Sequence, residues 1–104
     1  MSDKYILDGH TPVKADLMTW ARFFEDGESR RVAWTKFDGG HVSTVFLGLD
    51  HQFSPGGPPL IFETMIFGGP HDQYCDRYST WDAAEKGHER AVKLATKPDA
   101  VERS

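Results

Sequence analysis

"RRVAWTKFDGGHVSTVFLGLD", residues 30–50, decides the fold. β-Branched and aromatic side chains stand on both sides of Asp38-Gly39-Gly40, the pattern of two antiparallel strands joined by a tight turn. The next apolar run, "LIFETMIF" at 60–67, follows a Pro/Gly-rich connection, "HQFSPGGPP", that suits a wide hairpin loop. These three runs predict an antiparallel meander, with its third strand closed by Gly68-Gly69-Pro70.

The flanks add one strand and two helices. "KYIL" at 4–7 is short and β-prone, and Asp8-Gly9 turns it. Thr11-Pro12 reads as a hydroxyl cap followed by proline at the first helical position. Val13, Leu17, Trp20, Ala21 and Phe24 then recur at helical spacing, predicting a helix over 12–25 that stops at Asp26-Gly27. After a polar loop at 68–78, Ser79-Thr80 caps a second helix over 80–95. Trp81, Ala84, His88, Ala91 and Ala95 share one of its faces. The expected order is β-α-β-β-β-α, an α+β fold with two helices packed on one face of an antiparallel sheet. Residues 1–95 make a single domain, and 96–104 are expected to be a flexible tail.

Alternation along the strands divides the sheet into two faces. Val32, Trp34, Val45, Leu47, Leu49, Leu60, Phe62, Thr64 and Ile66 are assigned to the side under the helices. Arg31, Ala33, Thr35, Thr44, Phe46, Gly48, Ile61, Glu63, Met65 and Phe67 then form the other side. A turn at Gly39-Gly40 sets Arg31 opposite Gly48, and a symmetric second hairpin sets Glu63 opposite Phe46. Arg31 and Glu63 would then meet diagonally as an ion pair. That second face is too apolar for bare solvent, so it is read as a partner interface. Its binding residues are Arg31, Phe46, Ile61, Glu63, Met65 and Phe67, with Asp50 and His51 at the mouth of the 51–59 loop.

Composition narrows the function. The chain has 104 residues, a net charge of −4 and one cysteine. A phosphate-neutralising basic face is not expected, so direct nucleic-acid binding is not either. Cys75 alone makes neither an intramolecular disulfide nor a Cys-rich zinc site, and it reads as an inert thiol in a reducing compartment. "MSDKYILDGH" is unlike a signal peptide, and no run is apolar enough to cross a membrane. His41, Asp50-His51, Glu63 and His71-Asp72 lack any recognised metal-ligand spacing, and "SPGGPP" has prolines where a phosphate loop needs amides. His88 is read as a core-edge histidine donating to a carbonyl, and Gly87 as a position for close packing against another element, the first helix being one candidate. No catalytic residue, metal or cofactor is assigned.

The segments "KYILDGH", "VSTVFLGLDHQF", "PPLIFETMIFGG" and "YSTWDAAEKGHERAV" together resemble a family of small proteins encoded by bacteriophages and prophages. The resemblance spans residues 4–95. It implies a phage accessory protein working in the cytoplasm of a bacterial host and engaging a host protein or complex. It supplies no catalytic residues. The leading expectation is a non-enzymatic, homodimeric binding module, with anti-defence activity such as CRISPR inhibition as one form. The alternatives are a binder of a small polar ligand, read by Arg31 and Glu63 in a pocket of Phe46 and Met65, and a metal-dependent hydrolase built on His51, Glu63 and His71.

Overall fold

A computed structural model describes residues 3–50 and 57–96. The α+β class is observed: two antiparallel sheets and two helices. Strands β1 (Tyr5–Asp8) and β2 (Thr11–Lys14) form a hairpin with Asp8 opposite Thr11 and Gly9 at φ +63°. Helix α1 (Leu17–Glu25) follows, and then a 3-10 turn, Gly27–Arg30. Strands β3 (Arg31–Phe37), β4 (Gly40–Phe46), β5 (Phe62–Phe67) and β6 (Cys75–Tyr78) make a meander in sequence order. Helix α2 (Trp81–Thr96) closes the fold.

Two elements differ from expectation. Thr11-Pro12 lies in β2, not in a helix cap, because proline is tolerated on an edge strand. The cap of α1 is Asp16, whose Oδ1 accepts from Thr19 N at 2.8 Å. That bond holds the Asp16 carboxyl below the usual aspartate pKa. Strand β6 occupies the end of what reads as a loop. The cap of α2 is as expected, with Ala83 N donating to Thr80 Oγ1 at 3.1 Å. Of the tail expected at 96–104, Thr96 is helical, and 97–104 lie outside the described residues.

The register decides the faces. Phe37 pairs with Gly40, so the first turn is Asp38-Gly39, and Ala33 stands opposite Thr44. Phe46 pairs with Phe62 and Thr44 with Thr64, one residue away from the expected match of Glu63 to Phe46. A one-residue slip exchanges the faces of a strand. The buried side therefore carries Val42, Thr44 and Phe46 from β4 beside Phe62, Thr64 and Ile66 from β5. β5 keeps its expected orientation, whereas β4 and the part of β3 beyond its bulge are inverted, so that Trp34 and Val45 face away from α2 while Val32, at the bulge, packs against the core as expected. Phe46 and Ile61, expected on the open side, are 0% and 1% exposed.

The core is built in three bands along α2. One apolar cluster holds Tyr5, Phe46, Ile61, Phe62, Tyr78 and Ala84, with Phe23 and Phe24 of α1 edge-on and stacked against Phe46. A second holds Val42, Ile66 and Ala91. Between them lies a polar band centred on His88. Its Nδ1 meets Thr44 Oγ1 at 2.7 Å and its Nε2 meets Thr35 Oγ1 at 2.8 Å, while Thr44 and Thr64 hydroxyls bond each other at 2.5 Å. His88 thus bonds threonine hydroxyls where a backbone carbonyl was expected. Gly48, at φ +77°, seats α1: Trp20 Nε1 donates to its carbonyl at 3.1 Å, and a Cβ there would lie 2.3 Å from Phe24 Cζ.

Tyr78 Oη is buried and reaches no hydrogen-bond partner of accepted geometry among the described residues. Burial raises the phenol's pKa, with the nearby Thr64 hydroxyl pulling the other way. Leaving a buried hydroxyl unpaired costs about 1–3 kcal/mol. Tyr78→Phe is therefore expected to leave the urea midpoint unchanged or raise it. A clear loss would show that the hydroxyl is paired in solution.

Candidate functional site

The side of the sheet turned away from α2 is the candidate surface. Its centre is a row of three rings from three strands. Trp34 and His41 stack at 5.1 Å between centroids, and His41 and Phe67 at 4.9 Å, both with planes 25° apart. His41 faces Phe67 directly across β4–β5, whereas Trp34 is its diagonal neighbour, opposite Ser43. Trp34 is 47% and Phe67 37% exposed, while His41 between them is half-buried. Exposed aromatic rings at one spot need an explanation that scattered apolar residues do not. An open hollow of about 710 Å³ at the β3–β4 tip continues the row, lined by Trp34, Lys36, Asp38 and His41 among others.

Further along, Glu63 stands directly opposite Arg77 on β6, and Arg77 Nε donates to Glu63 Oε2 at 3.0 Å. Cys75 Sγ donates to the same oxygen at 3.4 Å. Burial, and then this bond to a carboxylate, push the Cys75 thiol up, so it stays protonated and unreactive at neutral pH. The expected Arg31–Glu63 pair is thus replaced. Arg31 faces Val45 from one side and Glu63 faces it from the other, leaving two strand spacings, about 10 Å, between their positions.

The expected binding residues divide accordingly. Glu63, Met65 and Phe67 lie on the open face. Arg31 is exposed at its edge, and Phe46 and Ile61 are core. The ligand pocket expected among Arg31, Glu63, Phe46 and Met65 is not formed, because Phe46 belongs to the opposite side. Asp50 is tied to the start of the next apolar run, its Oδ1 accepting from Leu60 N at 2.9 Å. His51 lies outside the described residues. Trp34, expected under the helices, His41, weighed only as a metal ligand, and Arg77, not considered at all, complete the face.

Chemically, the face offers aromatic surface and an ion pair already satisfied within the chain. The described residues bring together no group of three or more His, Cys, Asp or Glu side chains placed to hold a metal ion. None of their helices is long and apolar enough to cross a membrane. Comparison of the chain with protein-family models, curated proteins and solved structures finds no match to any of them.

Proposed function

We propose that the protein is a non-enzymatic binding module that works through the open face of its sheet, first by pairing with a second copy of itself. One observation carries this reading: Trp34 and Phe67 stand exposed beside each other with His41 stacked between them. The uncharged strip of Trp34, Ser43, Val45, Met65 and Phe67 has charge only at its margins, in Lys36, Arg31 and the Arg77–Glu63 pair. A dry centre with a polar rim is the usual anatomy of a protein interface. In the phage or prophage setting that the sequence resembles, such a module acts in the bacterial cytoplasm on a host protein or complex. Interference with a host defence system, CRISPR included, is one concrete form.

Light scattering during size exclusion tests the self-pairing. The wild type is expected at twice the chain mass. Trp34→Ala with Phe67→Ala should weaken the dimer at least about 100-fold, since buried aromatic anchors dominate interface energies. A wild type that stays monomeric at high concentration would remove the second copy as the occupant of this face.

A further inference from the structure

A different surface, the edge of the sheet, has features that the face reading does not use. β3 is the first strand of the meander, paired only with β4, and it runs seven residues. Alternate residues of an edge strand turn their N–H and C=O groups away from the sheet, which leaves a template for one more strand. Apart from the ladder to β4, no backbone hydrogen bond to another strand is found for Val32–Phe37 among the described residues. Short edges, bulges or a covering element usually blunt such a template. β3 has a bulge only at its start, between Arg31 and Ala33.

Beside this edge runs a groove. Its floor is the buried-side residues Ala33 and Thr35, both small, and its wall is a stripe of α2. Two adjoining hollows lie along it. One, of about 460 Å³, lies over Ala33 against Asp82, Glu85, Lys86 and Glu89. The other, of about 410 Å³, lies over Thr35 against Val92, Lys93 and the same Glu89. His88 touches both. Ala33 and Thr35 are two residues apart, the spacing at which an added strand directs successive side chains to one side. The hollows differ in chemistry. Asp82, Glu85 and Glu89 make the first acidic, and none of the three is in an ion pair among the described residues. The second has the apolar Val92 and a net charge near zero.

We propose that this groove binds an extended peptide segment of a partner protein as a fifth strand, antiparallel to β3. Strand addition draws affinity from the main chain and specificity from alternate side-chain pockets. Running antiparallel, the peptide reaches the Thr35 hollow before the Ala33 hollow. The segment recognised is therefore an apolar residue, any residue, then Lys or Arg. The apolar side chain rests on Val92, and the cation meets Asp82, Glu85 and Glu89. The surface is separate from the Trp34–His41–Phe67 face, so either proposal can fail alone.

The probe is a displayed library of random octapeptides, selected on the immobilised full chain, with the recovered peptides then mapped by amide chemical shifts. Recovered sequences are expected to be free of proline and to carry the apolar-x-basic order. Their shifts should concentrate in β3 and on the 82–93 stripe of α2. Glu85→Lys with Glu89→Lys, both on the solvent side of α2, should weaken binding about tenfold or more and leave the light-scattering mass unchanged. Trp34→Ala with Phe67→Ala should leave peptide binding intact. Recovery of no peptide, acidic or helical sequences, or shifts centred on Trp34 and Phe67 would each overturn the proposal. So would a dimer that the Glu85/Glu89 reversal dissolves, because the β3 edge would then belong to a second copy.

Discussion

Gly87→Ala is expected to destabilise the protein by about 2 kcal/mol and lower its Tm by about 10 °C. Helix propensity alone argues the opposite, since alanine is better than glycine in a helix by about 1 kcal/mol. Position 87 is decided by what lies across from it. A Cβ there would come within 2.1 Å of Tyr78 Cζ and Oη and 2.5 Å of Cε1. Tyr78 is only 7% exposed and sits opposite Phe62 in the first apolar cluster, so its ring has nowhere to retreat. Either α2 lifts from the sheet or the ring leaves its rotamer, and overpacking of this kind costs about 1–3 kcal/mol beyond the propensity gain. The close approach expected of Gly87 is therefore made to β6, not to the first helix. Shortening Tyr78 to leucine in the Gly87→Ala background should cost less than the two single changes summed. A Gly87→Ala protein that melts higher than wild type would show that the contact relaxes freely.

His88 is expected to make stability fall as the pH drops below 6.5. The ring is 6% exposed, and burial holds its pKa below the ordinary 6.5, with Glu89 partly offsetting the effect. The sign follows from which state takes the proton first. Below pH 6.5 the unfolded chain protonates this histidine while the folded chain still does not, so unfolding takes up a proton. The contribution is therefore complete above pH 6.5. It is lost as the pH drops from there through the lower folded-state value. Urea titrations across that interval should show the slope in the wild type and lose it in His88→Gln. Equal slopes would mean that the ring is solvated. Removing the ring outright by His88→Ala takes the imidazole partner from the Thr35 and Thr44 hydroxyls, leaving Thr44 only its bond to Thr64, and opens a cavity, at a cost of about 3 kcal/mol at neutral pH.

The elements most legible in the sequence are those written in local chemistry. The hairpin at Asp38-Gly39-Gly40, though its turn is Asp38-Gly39 and not the expected Gly39-Gly40, the third strand ending at Gly68-Gly69 and the Thr80 cap of α2 all follow from short-range rules. α1 was half legible. Its apolar spacing is real, but Thr11-Pro12 imitates a cap, while the working cap is Asp16 one turn ahead of Trp20. β6 hid because four residues among polar neighbours carry almost no periodic signal. The faces were misread for a different reason. Val45, Leu47 and Leu49 outrank Thr44, Phe46 and Gly48 in hydrophobicity, yet the threonine side is the buried one, with Val42 and Phe46 in the two apolar clusters and Thr44 bonded to His88 between them. A histidine 44 residues away in sequence is invisible to any count along one strand. The exchange of faces takes Phe46 out of the expected site, while the Arg31–Glu63 pair fails because β4 stands between the two residues and Arg77 lies directly opposite Glu63.

The hydroxyl–imidazole band between the two apolar clusters also chooses among alternative folds of this chain. Sliding β5 by one residue against β4 would still bury Ile61, Met65 and Phe67, so hydrophobicity alone barely separates the two arrangements. Only the observed alignment puts Thr64 across from Thr44 within reach of His88. The slid alternative would bury Glu63 in its place, facing the same helix with no cation assigned to it. A valine–valine–leucine band would forgive that slide. The threonines and the histidine act as a key cut for one alignment, and they give up some apolar burial to exclude its nearest competitor.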